Sequence, residues 1–220
     1  MMIERVLVVG ATGNIGIAAV KGALRSGRQV LAVVRNQASA DKLFKHVGSS
    51  EGIDIVEASV VSDTGIKTVV HQVKAGKLPP FQHVYTCVGG EYTDVPLKDI
   101  TTDRLRKNMN MSFEANFFAY RDTIEYLQEQ NHPNTMGQGP LFSMATAAAR
   151  ENEKTNVRVN EVYLMFRVEV DEAAAEHGVT SSSEFASVYE EILANPEIRG
   201  SRVRVATPAD IKNLKWAKKF

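Results

Sequence analysis

The chain has 220 residues, 44% hydrophobic and 24% charged, the proportions of a globular protein with one substantial core. Basic and acidic residues balance at 26 each, so no global field draws in nucleic acid or an anionic membrane. A lone cysteine, Cys87, excludes an internal disulfide framework, and the five histidines are scattered without metal-ligand spacing, so no metal site is expected.

The apolar run from Val6 to Val9 is too short for a signal segment or a membrane span, and the reading is a cytoplasmic protein. It belongs to an expected strand, Arg5–Val9, followed by a helix over Asn14–Ser26 that Gly27 closes in a left-handed cap. Strand Gln29–Val34, helix Ala38–Val47, strand Ile53–Ala58, helix Ile66–Ala75 and strand His83–Val88 come next. Thr102–Gln130 is expected as one long helix, with Phe113, Phe117, Tyr120, Ile124 and Leu127 on a single face, either core or a dimer surface. Helix Pro140–Lys154, strand Val157–Leu164, helix Ser182–Ala194 and strand Ser201–Ala206 complete the alternation. Ser181 to Ser183 offer N-cap hydroxyls with Glu184 in the first turn, and Asn195-Pro196 stops that helix. The basic stretch Asp210–Phe220 is read as an interface tail, a short helix or a frayed end.

Strands alternating with helices predict an α/β fold of the Rossmann type, a doubly wound parallel sheet in three α/β/α layers, as one domain over residues 1–220. Within it, Val6-Leu7-Val8-Val9-Gly10-Ala11-Thr12-Gly13-Asn14-Ile15-Gly16 runs from a buried strand through three glycines into a helix. Gly10 permits the tight turn, Gly13 leaves room for a pyrophosphate and Gly16 lets the helix pack closely. The helix start adds free N–H groups and partial positive charge. Gly10, Thr12, Gly13, Asn14, Ile15 and Gly16 are therefore candidate dinucleotide contacts. At the end of the second strand, where an NAD site places a carboxylate, stand Val34 and then Arg35, whose guanidinium suits a 2′-phosphate. The expected cofactor is NADP(H) in preference to NAD(H).

These segments together resemble the short-chain dehydrogenase/reductase family over nearly the whole chain. Tyr85-Thr86-Cys87-Val88-Gly89-Gly90 is similar to the family's fourth strand and following turn, which implies cofactor contacts at Cys87, Val88 and Gly89. Ala148-Ala149-Arg150-Glu151, then Val157-Arg158-Val159-Asn160, resembles the fifth helix entering the sixth strand. The resemblance implies a tyrosine, a lysine four residues later, a serine and a helical asparagine. Counted back from Asn160, the tyrosine and lysine positions fall on Asn134 and Gln138, which cannot supply that chemistry, and the asparagine position falls near Ser112. Between Gln130 and Pro140, turn formers replace the fifth strand and its serine, so a central strand is expected to be missing and the chain shortened there. Tyr163, four residues before Arg167, and Ser112 are the remaining catalytic candidates; Ser143 reads as a helical surface serine and Cys87 as a small buried hydrophobe.

The resulting expectation is an NADP(H)-dependent oxidoreductase acting on a small-molecule carbonyl, alcohol or imine. The rival readings are a catalytically degenerate NADP(H)-binding regulator or scaffold, and a non-redox isomerase or cyclase on the same fold. Homo-oligomers are expected to form through the helices at 111–130 and 140–154.

Overall fold

In a computed structural model, which describes residues 3–90, 95–130, 133–138 and 142–219, the first two apolar runs pair in parallel as β1 (Arg5–Val9) and β2 (Gln29–Val34). Both are covered on two faces, which is why their sequences are continuously apolar. Six more strands extend the sheet: β3 (Ile53–Glu57), β4 (His83–Thr86), β5 (Asn134–Gln138), β6 (Val157–Leu164), β9 (Ser201–Val205) and β10 (Lys215–Lys218). Their order is β10-β9-β6-β5-β4-β1-β2-β3, parallel throughout except for β10. Two short strands, β7 (Val168–Glu169) and β8 (Thr180–Ser181), pair separately.

Helices cover both faces. One core cluster joins the sheet to α1 (Asn14–Arg25), α2 (Gln37–Val47) and α8 (Ser182–Ala194); the other joins it to α3 (Gly65–Lys74), α5 (Ala115–Gln128) and α6 (Phe142–Glu151). Two shorter α-helices are α4 (Thr102–Met109) and α7 (Asp171–His177), and 3-10 turns lie at Leu97–Asp99 and Pro208–Lys212. Ser181 and Glu184 form the reciprocal capping box at the start of α8, with Ser181 Oγ accepting from Glu184 N at 3.1 Å and Glu184 Oε2 accepting from Ser181 N at 3.0 Å. Arg158 and Asn160 of β6 hold the other end of α8. The Arg158 Nη1 donates to the carbonyls of Ile192, Asn195 and Ile198 at 3.3, 2.7 and 3.1 Å, and Asn160 Nδ2 donates to Ile198 O at 2.8 Å.

Three sequence expectations are corrected. The central strand is present: β5 pairs in parallel with β4 on one side and β6 on the other. Asn134-Thr135-Met136-Gly137-Gln138 has weak strand propensity, but two flanking ladders satisfy its backbone, and that outweighs the local preference. The long helix is broken by a π turn at Asn110–Glu114, which rotates the faces before and after it. The buried line is therefore Ala115, Ala119, Thr123 and Leu127, whereas Phe113 and Phe117 are exposed. The C-terminal stretch starts in a 3-10 turn, Pro208–Lys212, and then forms the antiparallel edge strand β10, anchored where the ammonium of Lys219 meets Glu161 beneath Arg202.

Candidate functional site

The turn between β1 and α1 is shaped by contacts that only hydrogen permits. Gly10 adopts φ +84°, and a Cβ there would lie 3.0 Å from the backbone of Cys87 and Val88. At Gly16 a Cβ would come within 2.0 Å of the Gly10 carbonyl oxygen and 2.9 Å of Ala11. Gly13 is different. It is exposed, caps α1 without a side chain, and a Cβ would meet nothing nearer than Gly10 O at 3.7 Å. The amides at the start of α1 therefore face an open cradle, which fits an anion approaching the helix N-terminus. Asn14 is exposed beside Gly13, while Thr12 and Ile15 are half-buried at its flanks.

Arg35 leaves the end of β2 as an exposed side chain with no ion pair among the described residues. The next residue, Asn36, caps α2 by accepting from Ser39 N at 3.0 Å. β2 thus ends in a fixed turn that presents a guanidinium at the same carboxyl edge of the sheet as the glycine turn.

After β4 the chain runs along that edge. Cys87 N donates to Val9 O at 2.8 Å, Val88 is buried, and Gly89 is exposed with open space around it. Gly90 N donates to Ser112 Oγ at 2.8 Å, so Ser112 is spent on holding this turn. One helical turn later, the buried Asn116 donates from Nδ2 to Val88 O and to Ser112 O, both at 2.8 Å. Its Oδ1 is buried with no hydrogen-bond partner among the described residues. Asn116 was missed by counting along the sequence; its signal is an amide on the line of small residues Ala115 and Ala119.

A cavity of about 270 Å³ opens between the ends of β4 and β6. Ile15, Val88, Val162, Leu164 and Phe185 give it apolar walls, with Cys87, Tyr163 and Tyr189 contributing polar atoms. Cys87 Sγ lies 3.6 Å from the Tyr189 hydroxyl. Burial pushes the Cys87 thiol up to about 12 and raises the Tyr189 phenol well above its ordinary value, so both are neutral. Tyr163 sits on the rim, more than a third exposed, with the Arg202 guanidinium 4.7 Å above its ring. The geometry does not pair Tyr163 with Arg167, since Arg167 instead contacts Glu169 at 2.5 Å.

Comparisons with known proteins agree with this geometry. A family model described as short chain dehydrogenase matches residues 4–134. A short-chain dehydrogenase/reductase from Pestalotiopsis fici, iacG, is 49% identical over 241 residues, covering 99% of this chain and 97% of the relative. The chain belongs to the short-chain dehydrogenase/reductase family. Since the alignment spans 241 positions against 220 residues here, at least 21 positions of that short-chain relative face a gap. Two solved structures share the fold at low identity. ElxO with NADP bound has a TM-score of 0.79 and 14% identity, covering 93% of this chain and 97% of that one. A short-chain dehydrogenase from Brucella melitensis has a TM-score of 0.73 and 17% identity, with the same coverage of both chains.

Within that family frame, Asn134 and Gln138 fall on β5. Four residues of strand separate side chains by roughly 13 Å, so these positions cannot act as a tyrosine–lysine pair would on a helix. Asn134 Nδ2 instead donates to Leu127 O at 2.6 Å and secures the end of α5; of Gln138 only the backbone is described. The connection from β5 to α6, residues 139–141, lies outside the described residues, and Ser143 is exposed on α6. Among the described residues there is no cluster of side chains suited to a metal, and no helix is long and apolar enough to cross a membrane.

Proposed function

We propose that the chain binds NADP(H) across the carboxyl edge of β2, β1 and β4 and acts as an oxidoreductase on a small carbonyl, alcohol or imine. The observation that carries this reading is the open cradle at Gly13, set at a helix start with no side-chain cap and held by close packing at Gly10 and Gly16. Gly13, Asn14 and Ile15 would hold the pyrophosphate side, Arg35 the 2′-phosphate, and Val88 and Gly89 the ribose side. ElxO, which shares the fold, is described with NADP bound. When bound, the dinucleotide supplies or accepts a hydride at its nicotinamide ring. The chain's own contribution is to bind and orient it, and to exclude water with the apolar walls of the cavity.

A second reading, a binder without turnover, is favoured by one observation. The positions counted for the proton-donating pair lie in β5, and Ser112 is committed to Gly90. Titration with NADPH tests the first step, and lack of saturable binding removes both readings. A panel of ketones, aldehydes and imines followed at the NADPH absorbance tests the second. Turnover supports the oxidoreductase; binding with no turnover across the panel assigns the chain to the binder.

A further inference from the structure

We infer that the cavity between β4 and β6 selects the uncharged, reduced nicotinamide ring over the cationic, oxidised one, so that NADPH is held more tightly than NADP+. The inference rests on the assignment of the glycine turn to NADP(H). Arg35 ends β2 on one side of β1, and the cavity lies over β4 and β6 on the other. A dinucleotide with its pyrophosphate at Gly13 and its 2′-phosphate at Arg35 must direct its other end toward β4. Ile15, two residues beyond Gly13, is a wall of the cavity, and Gly10 packs against the backbone of Cys87 and Val88, which line it too, so the cavity adjoins the glycine turn. The volume of about 270 Å³ admits a ring and its amide.

Among the described residues, what the ring meets there carries no charge. The ten described residues lining the cavity are neutral types, and five of the side chains are aliphatic or phenyl. The thiol and the phenol stay neutral, because burial holds Cys87 at about 12 and Tyr189 well above its ordinary value. Among the described residues, the guanidinium of Arg202 lies over the wall residue Tyr163, and it is already paired with Glu161 at 2.9 Å. A cationic ring entering this space loses water and gains no carboxylate, whereas the neutral dihydro ring loses little. Such a protein loads in the reduced state and sheds the oxidised form, which suits reduction of a carbonyl rather than oxidation of an alcohol.

Calorimetric titration of the full chain with NADPH, NADP+ and 2′-phospho-ADP-ribose, which lacks the ring, tests this. The expected result is NADPH at least tenfold tighter than NADP+, with NADP+ no tighter than the ring-free nucleotide. Leu164→Asp places a carboxylate on the half-buried wall at the end of β6 and should narrow the NADPH to NADP+ ratio at least threefold, with the ring-free nucleotide unchanged. Equal wild-type affinities for NADPH and NADP+, or tighter NADP+, overturn the inference without need of the variant. So does an unchanged ratio in a variant that still binds the ring-free nucleotide normally. Failure of all three nucleotides to bind overturns the NADP(H) assignment itself, and the inference with it.

Discussion

Gly13 and Gly16 stand three residues apart in one turn, and alanine at each should have opposite consequences. At Gly16 the new methyl would lie 2.0 Å from the Gly10 carbonyl oxygen and 2.9 Å from the Ala11 backbone, and no flexible side chain can give way. Overpacking costs about 1–3 kcal/mol, and a clash between backbone-fixed atoms belongs at the upper end, about 3 kcal/mol. For a chain of this size that lowers Tm by roughly 6–12 °C. At Gly13 the backbone, φ −79° and ψ 165°, suits any residue, and the methyl would meet only Gly10 O at 3.7 Å. Gly13→Ala should leave stability within about 1 kcal/mol of the wild type. It nevertheless fills the cradle, and NADPH affinity should fall at least about tenfold, or 1.4 kcal/mol. Thermal melts with and without NADPH, together with calorimetry, separate the two effects. Wild-type NADPH affinity in Gly13→Ala would refute the cradle, and an unchanged Tm in Gly16→Ala would refute the packing argument.

Further outcomes follow from other residues. Arg158→Met removes the guanidinium hydrogen bonds to the carbonyls of Ile192, Leu193, Asn195 and Ile198 around the end of α8, and urea unfolding should show a loss of about 2–4 kcal/mol; a loss under about 1 kcal/mol would contradict the capping role. The hydrogen bond from His83, with the charge of Arg28, holds the Glu4 carboxyl at about 2 against an ordinary 4.5, while burial lowers His83 below its ordinary 6.5. Both groups therefore stabilise the fold at neutral pH, His83 losing its contribution as pH falls below 6.5 and Glu4 as it falls from 4.5 toward 2. Urea midpoints of Glu4→Gln should change less steeply than wild type between pH 4.5 and 2.5, by about 1–2 kcal/mol after screening; identical slopes would discount the pair. The Cys87 thiol, held at about 12, should resist iodoacetamide at pH 8 in the folded protein and react fully in urea, as mass spectrometry would read.

The legible parts of the fold were those in which local chemistry and tertiary context agree. Val6 to Val9 and Val30 to Val34 read as buried strands because they are buried strands on both faces, and Gly10, Gly13 and Gly16 announce their turn by standing between such a strand and a helix. β5 was illegible for the opposite reason. Its only β-branched residue is Thr135, and its strand state comes from β4 and β6, which lie about 50 residues before it and 20 after it in sequence. Asn116 has no motif of its own in the sequence, and its role shows only in its buried amide, which donates to Val88 O and Ser112 O. The aromatic stripe held only in part: Phe113 falls in the π turn, which no periodic pattern reveals, and both it and Phe117 are exposed while small Ala115 and Ala119 take the buried positions. The basic stretch that holds β10 read as an interface tail, a short helix or a frayed end, yet lysine on an edge strand is a common guard against sheet-to-sheet pairing.

The central claim, that NADP(H) lies across the glycine turn with its 2′-phosphate at Arg35, is tested most directly by calorimetric titration of the wild type and Arg35→Asp with NADPH and NADH. The account predicts saturable NADPH binding at least about tenfold tighter than NADH in the wild type, and loss of that preference in the variant with NADH affinity little changed. The same NADPH to NADH ratio before and after the substitution, or no saturable binding of either nucleotide, would contradict it.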